Sequence, residues 1–164
     1  MAERREIPFE GLRLRYGSTQ GFDALVAALY DAVGSAPVPI DDIAVRFGDW
    51  DSYEREIQSH VGPSGFMLFA VFNHGGWIRK AGIDRQVLRV VIGNPLIAIT
   101  LLRHDVTAGL FAPVELLLTA EDDGSALTYV QPSSLMVVED NPALLAAATV
   151  LDTKLAQLAA DVTG

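Results

Sequence analysis

The stretch that decides the fold is Val114–Gln131, which reads VELLLTAEDDGSALTYVQ. Two mainly apolar segments, 114–119 and 126–131, flank the turn sequence Asp122-Asp123-Gly124-Ser125. An Asp-Gly turn between two such segments is the strongest short-range signal of a β-hairpin. The sequence therefore predicts an antiparallel pair of strands here, to which the other elements are added.

Further strands are indicated by alternating or continuously apolar segments. Leu12–Tyr16 alternates apolar and basic residues, Val87–Ile92 is largely apolar, and Phe66–Phe72 is apolar throughout. A segment without a polar face is typical of a strand that is covered on both sides. We therefore predict that Phe66–Phe72 is a central strand of the sheet.

Helices are indicated by apolar residues three and four positions apart, with capping residues and glycines at the ends. The first predicted helix spans 22–33, is capped by Ser18 or Thr19 and is ended by Gly34. The others are a short helix capped by Asp51, one at Trp77–Ala81, one from Leu96, and one from Pro142 to about Ala160 that is capped by Asn141. Pro37 and Pro39 are expected to begin a loop. Strands and helices mix without regular βαβ alternation, so the predicted class is α+β: a small, mostly antiparallel sheet with helices packed on one face.

The composition excludes several classes of protein. Among the 164 residues, 12 are Lys or Arg and 21 are Asp or Glu, which gives a formal charge of -9, and 50% are hydrophobic. So apolar a chain can fold, and its negative charge argues against nucleic acid or an anionic membrane as a partner. The chain has no Cys, so no disulfide is expected. It shows neither an apolar leader nor an apolar run long enough to span a membrane, so a single cytoplasmic domain, 1–164, is expected.

Short motifs follow one another in a characteristic order over residues 66–135. They are Asn73-His74 after an apolar strand, Gly82-Ile83 after a short helix, Val90-Val-Ile-Gly-Asn-Pro95, a proline before Val114-Glu-Leu-Leu-Leu118, the turn at Asp123-Gly124, and Thr128-Tyr129 followed by Pro132. In this order and spacing the chain resembles the DUF302 family, domain of unknown function 302. The resemblance implies a TT1751-like α+β fold, usually dimeric, with no agreed biochemical activity.

The chain departs from the family pattern in two places. Residues 35–65 lie between the first helix and the apolar strand, where the family typically has only a few residues, so we expect an insert there. After Gly-Asn-Pro the family tends to have a Gly-Thr-Pro stretch, whereas this chain has Ala98-Ile-Thr100.

His74 is the strongest candidate for chemistry, because it ends a strand before Gly75-Gly76, where a ligand can approach the backbone. An imidazole can act as a general acid or base near neutral pH, and it can equally hold a carbonyl at a sheet edge. Glu115 is the second catalytic candidate. On a buried face it would be an acid or base near His74, whereas on an edge strand it simply faces water.

Asn94 lies between a strand and a helix, where it can cap the helix or expose free N–H groups to an anion. No glycine-rich phosphate loop accompanies it. Arg103 and His104 end that helix, where a positive charge is favoured by the helix dipole. His60 is expected to be exposed, and with three His, no Cys and no metal-binding spacing, neither a metal site nor a cofactor is expected.

Three functions remain open at this stage. We favour a protein that holds a small, partly apolar ligand in a cleft between the sheet and the insert. The alternatives are a cofactor-independent isomerase, cyclase or lyase with His74 as acid or base, and a structural dimer without a ligand site. The candidate ligand-binding residues are Asn73, Asn94, Trp50, Tyr53, Trp77, His104 and Tyr129, although large aromatic side chains often belong to the core instead.

Two predictions concern larger parts of the chain. Residues 38–62 contain too many apolar side chains for disorder, so they are expected to fold back and form one wall of a pocket. That pocket is predicted to carry His74 and Asn94, with Trp50 or Tyr53 within reach of His74. The stretch 143–151 of the last helix is apolar nearly all round, which predicts a homodimer that buries this helix or a sheet edge.

Overall fold

The computed structural model describes all residues, 1–164, and consists of five strands and seven α-helices. The strands are β1 Arg13–Ser18, β2 Met67–Asn73, β3 Val87–Gly93, β4 Val114–Glu121 and β5 Gly124–Val130. The helices are α1 Phe22–Val33, α2 Ile40–Arg46, α3 Trp50–His60, α4 His74–Ile78, α5 Pro95–Leu102, α6 Pro132–Met136 and α7 Pro142–Thr163. Two 3-10 helices lie at Arg79–Ala81 and Val106–Phe111. The predicted α+β class is confirmed.

The five strands form one sheet in the order β1-β5-β4-β3-β2, with every neighbouring pair antiparallel. The predicted hairpin is present, and Asp122 and Asp123 connect β4 to β5. Gly124 has a φ of 141°, and a Cβ atom there would lie 2.1 Å from the carbonyl oxygen of Ser18. Only glycine fits this close approach between the hairpin and the end of β1.

β2 lies at the edge of the sheet, so the prediction of a central strand is wrong. Its two faces are nevertheless both covered at its beginning. Leu68 belongs to the main core, whereas the neighbouring Met67 faces the other way and packs with Ile43 and Ile57. The continuous apolar pattern therefore reflects cover from α2 and α3 on the second face of the sheet.

The main core lies between one face of the sheet and helices α1, α5, α6 and α7. α1 contributes four buried residues to it, and α7 contributes seven: Leu144, Ala148, Leu151, Leu155, Leu158, Ala159 and Val162. α7 is long and apolar enough to cross a membrane by length and composition alone, a criterion that the core helix of a soluble protein also meets. Its buried stripe follows the predicted helical spacing.

Residues 35–65 contain two helices, of which only the second was predicted. α2 follows Pro39, which was expected to open a loop. α3 is capped by Asp49 rather than Asp51, because the Asp49 carboxylate accepts a hydrogen bond from the backbone N–H of Ser52 at 2.9 Å. Both helices pack on a small second core around Met67, on the second face of the sheet. The prediction that all helices pack on one face is therefore wrong for α2 and α3.

Other helix boundaries differ from the predictions for local reasons. α1 begins after Gly21 without a side-chain cap, because the Ser18 hydroxyl accepts from Gln20 instead. α4 begins at His74 rather than at Trp77, since Asn73 caps it. α7 begins at Pro142 with Asn141 as its cap, as predicted.

Candidate functional site

The antiparallel pairing places the two main candidate residues at opposite ends of the sheet. His74 follows the last residue of β2, and Asn94 follows the last residue of β3. Because β2 and β3 run in opposite directions, their last residues lie at different ends. The expectation that one mouth carries both His74 and Asn94 is therefore wrong.

His74 is the first residue of the one-turn helix α4. Asn73 caps this turn by accepting a hydrogen bond from the N–H of Gly76 at 3.0 Å. The His74 Nδ1 atom accepts a hydrogen bond from the indole Nε1–H of Trp77 at 3.3 Å, and the two rings meet edge to face. When the imidazole is neutral, its proton is therefore on Nε2. Trp77 is 59% exposed, so this pair lies at the surface.

Glu115 lies on the second face of the sheet and does not approach His74. It is exposed and pairs with Arg89, whose Nε lies 3.1 Å from Glu115 Oε2. The Arg89 guanidinium in turn lies over the ring of Phe72, 5.3 Å from its centre. Two strand spacings separate β4 from β2, which is about 10 Å. The arrangement is that of a solvent-facing ion pair.

Tyr129 and His104 take up unrelated positions. Tyr129 is 3% exposed, lies in the main core, and stacks on Tyr16 with ring centres 6.0 Å apart. Burial, with the nearby hydroxyl of Tyr16, raises the pKa of Tyr129, and its hydroxyl has no hydrogen-bond partner. His104 is exposed just after α5, where its carbonyl accepts from the Asn141 side chain at 3.4 Å.

Trp50 and Tyr53 lie on α3, and their rings pack against each other with centres 5.7 Å apart. Tyr53 also packs on the small core around Met67, and burial raises its pKa. Met67 and His74 are at the two ends of β2, which at 3.3 Å per residue are roughly 20 Å apart. The prediction that either aromatic reaches His74 is wrong.

A cleft that is lined almost entirely by apolar side chains lies at the Asn94 end of the sheet and has a volume of about 300 Å³. Its walls come from the ends of β2 to β4 and from α2, α5 and α7. The lining residues are Ile40, Phe66, Phe69, Gly93, Asn94, Pro95, Ile97, Ala98, Leu101, Ala112, Pro113, Val114 and Leu151. No titratable side chain is among them, and Asn94 is the only polar one.

The polar atoms of Asn94 are both used by the backbone. Its Oδ1 caps α5 by accepting from the N–H of Leu96 at 2.8 Å, and its Nδ2 donates to the carbonyl of Gly65 at 2.9 Å. This bears out the capping interpretation of Asn94 and removes its amide as a free ligand partner. Asn94 instead ties α5 to the loop before β2 at the edge of the cleft.

Gly93 shapes the floor of the cleft. A Cβ atom at this position would lie 2.8 Å from a ring carbon of Phe69 and 3.2 Å from Pro113 Cβ, so any other residue would have to displace the Phe69 ring. Phe69 can reach across because β2 is irregular between Leu68 and Ala70, which turns the extra residue toward the second face. Two sequence signals pointed to this site: the Gly93-Asn94-Pro95 motif, and the segment 38–62 predicted to form a pocket wall, of which Ile40 lines the cleft.

The other lining residues could not be singled out from the sequence. Ile40, Ile97, Leu101 and Leu151 are apolar side chains at helical spacing, and the same pattern describes ordinary core residues. Elsewhere, no group of three His, Asp or Glu side chains is placed to hold a metal ion.

Comparison with known proteins places the chain in a family. Residues 42–162 match the family model of DUF302, described as a domain of unknown function. The chain belongs to the DUF302 family. A crystal structure of an uncharacterized conserved DUF302 protein from Bacillus stearothermophilus has a TM-score of 0.65 and 16% sequence identity, over 92% of this chain and 97% of that chain. A search of curated proteins found no match.

The comparisons establish the fold of this chain and indicate no biochemical activity. At 16% identity, the likeness to the Bacillus stearothermophilus DUF302 protein shows that the two chains share an architecture. Within this DUF302 domain, the family match contains every lining residue of the cleft except Ile40. The cleft therefore lies almost wholly in the part of the chain that defines the family.

Proposed function

We propose that this DUF302 protein binds a small, uncharged, apolar ligand in the cleft at the Asn94 end of the sheet. The observation that carries the proposal is a cavity of about 300 Å³ whose only polar side chain is already hydrogen-bonded. Ligand sites are typically concave and mainly apolar, with volumes from about 300 Å³ upward. A cleft of this kind gains free energy when an apolar group replaces water in it.

The size and lining of the cleft define the ligand class. A cavity of roughly 150 Å³ holds benzene, so this one accommodates an apolar group about twice that size, such as naphthalene or a medium-length alkyl chain. No cation lines the cleft to pair with a carboxylate, and an unpaired charge is costly to bury. Neutral ligands are therefore favoured over anions with the same apolar part.

The same geometry favours binding over proton transfer in this cleft. General acid or base catalysis requires a titratable group within hydrogen-bonding reach of the reacting atom. The lining supplies none, and His74 is at the opposite end of the sheet.

A fluorescence titration tests the proposal. The neutral probe N-phenyl-1-naphthylamine is expected to bind with increased emission, at one site per chain. 1-Octanol should displace it at lower concentrations than octanoate, because an unpaired carboxylate costs far more free energy to remove from water than an unpaired hydroxyl does. Equal displacement by both would contradict the neutral-ligand class.

A pair of variants assigns the binding to the cleft. Ala98→Leu adds bulk to a cleft wall and should weaken probe binding about tenfold or more, since the added side chain occupies ligand space. Ala24→Leu makes the same change at an exposed position on α1 and serves as the control. Both variants must keep the melting temperature of the parent. Equal probe affinity in all three proteins would remove the cleft as the site.

A further inference from the structure

We propose that helices α2 and α3, residues 40–60, form a lid over the cleft whose docking is coupled to ligand occupancy. This inference rests on the proposed function, since it describes how the same cleft is opened and closed. The moving segment is residues 40–60, which pack outside the main core.

The lid has a core of its own. Ile43 of α2, Ile57 of α3 and Met67 of β2 are fully buried together, separately from the main core of the molecule. An ion pair between Arg46 and Glu56, 3.8 Å apart, also joins the two helices. The two helices therefore hold together as a unit that meets the rest of the protein through a small apolar contact.

The lid is anchored more weakly than the two long helices of the main core, α1 and α7. α2 and α3 each bury one residue, whereas α1 buries four and α7 buries seven. Segments with few buried apolar side chains open at lower free energy than the rest of a protein. The 40–60 segment should therefore undock while the sheet and the main core remain folded.

Both ends of the lid are fixed to the body. Before α2, the N–H of Val38 donates to the carbonyl of Leu68 at 2.9 Å. After α3, the N–H of Gly62 donates to the carbonyl of Phe66 at 2.9 Å. A Cβ atom on Gly62 would lie 2.6 Å from the carbonyl oxygen of Ala32, so the chain is tightly packed there. These contacts confine the motion to the residues between them.

Two side chains connect the lid to the ligand. Ile40, the first residue of α2, and Phe69, on the irregular part of β2, line the cleft and also pack on the small core of the lid. A ligand in the cleft therefore adds apolar contacts to that core. Since the ligand then binds the docked lid better than the open one, its binding must shift the lid toward the docked state.

Hydrogen exchange read by mass spectrometry tests the coupling. In the ligand-free protein, amides of 40–60 should exchange by an opening that leaves α7 protected and that depends weakly on denaturant. Addition of N-phenyl-1-naphthylamine should slow exchange in 40–60 about fivefold or more, beyond any change in α7. Exchange of 40–60 together with α7, with or without probe, would overturn the lid.

Matched variants separate this inference from the proposed function. Ile40→Ala removes the lid's side chain from the cleft and should lower the probe-dependent protection of 40–60, whereas Val45→Ala, at an exposed position on α2, should leave it unchanged. Probe binding without selective protection of 40–60 would refute the lid and keep the proposed function. If no probe binds, the proposed function fails, and the ligand-free exchange pattern still decides whether 40–60 opens separately.

Discussion

Asn94 carries two hydrogen bonds that hold one wall of the cleft, and its replacement should be costly. Asn94→Ala removes the cap of α5 and the bond to Gly65, and should lower the free energy of unfolding by about 1–3 kcal/mol. Urea denaturation measures this loss. Asn94→Ser keeps a capping oxygen but loses the donor to Gly65, so it should lose less. Equal losses in both variants would show that the cap contributes nothing.

Replacement of His74 should change the environment of Trp77 without changing ligand binding in the cleft. The chain has two Trp residues, so in a Trp50→Phe background the emission reports Trp77 alone. His74→Ala removes the acceptor of the indole N–H and should change that emission. Affinity for N-phenyl-1-naphthylamine should stay within about twofold, because His74 is at the far end of β2. A large loss of affinity would restore His74 as a site residue.

At the scale of single elements, the hairpin and α7 were predictable from local sequence. Asp122-Asp123-Gly124 and the Asn141-Pro142 pair each specify a turn or a helix start through their own backbone preferences. The position of β2 in the sheet was not predictable from its apolar sequence. An edge strand whose two faces are both covered by helices has the same continuous apolar pattern as a central strand. α2 was missed because Pro37 and Pro39 precede it, and proline marks a loop as often as a helix start.

The candidate site was predictable only in part, for a related reason. Asn94 and Gly93 carry a local signal, since a cap and a close backbone approach depend on the residue type. Phe69 and Leu151 lie far apart in the chain and look like core residues, so only the folded arrangement shows that a cleft lies between them. The prediction that joined His74 to Asn94 failed because each residue follows one of two paired antiparallel strands, and such strands end at opposite edges of the sheet.

Glu121, the last residue of β4, contributes to stability in a way that depends on pH. The Thr119 hydroxyl, with Arg15 and Arg85, holds the pKa of Glu121 below its ordinary value of 4.5. A carboxylate with a lowered pKa contributes stability above its ordinary pKa, and this is lost as the pH falls through the folded-state pKa. Glu121→Gln should therefore be less stable than the parent near neutral pH, with the difference shrinking below about pH 4.

Chemical denaturation of both proteins across this pH range measures the difference. Glu115→Gln is a useful comparison, because Glu115 is an exposed partner of a single arginine, Arg89. Its effect should be smaller than that of Glu121→Gln at neutral pH. A difference for Glu121→Gln that stays constant down to about pH 3 would contradict the assigned cause.

At the scale of the whole molecule, α7 leaves apolar side chains on its outer surface. Leu145 is 48% exposed and Val150 is 56% exposed, on the half of the helix that the sequence marks as apolar all round. We propose that this surface is buried in a homodimer. Light scattering should give twice the chain mass of 17.6 kDa, and Leu145→Glu should convert the protein to a monomer. A monomer at micromolar concentration would remove the proposal.

The central claim is that the cleft at the Asn94 end takes up a neutral apolar ligand, and methyl NMR tests it most directly. With labelled isoleucine and leucine methyl groups, naphthalene should shift the signals of Ile40, Ile97, Leu101 and Leu151, which line the cleft. Ile78 and Ile83, near the His74 end, should stay in place. Saturation of these cleft shifts at one naphthalene per chain is the predicted result. Shifts confined to Ile78 and Ile83, or no shifts at all, would contradict it.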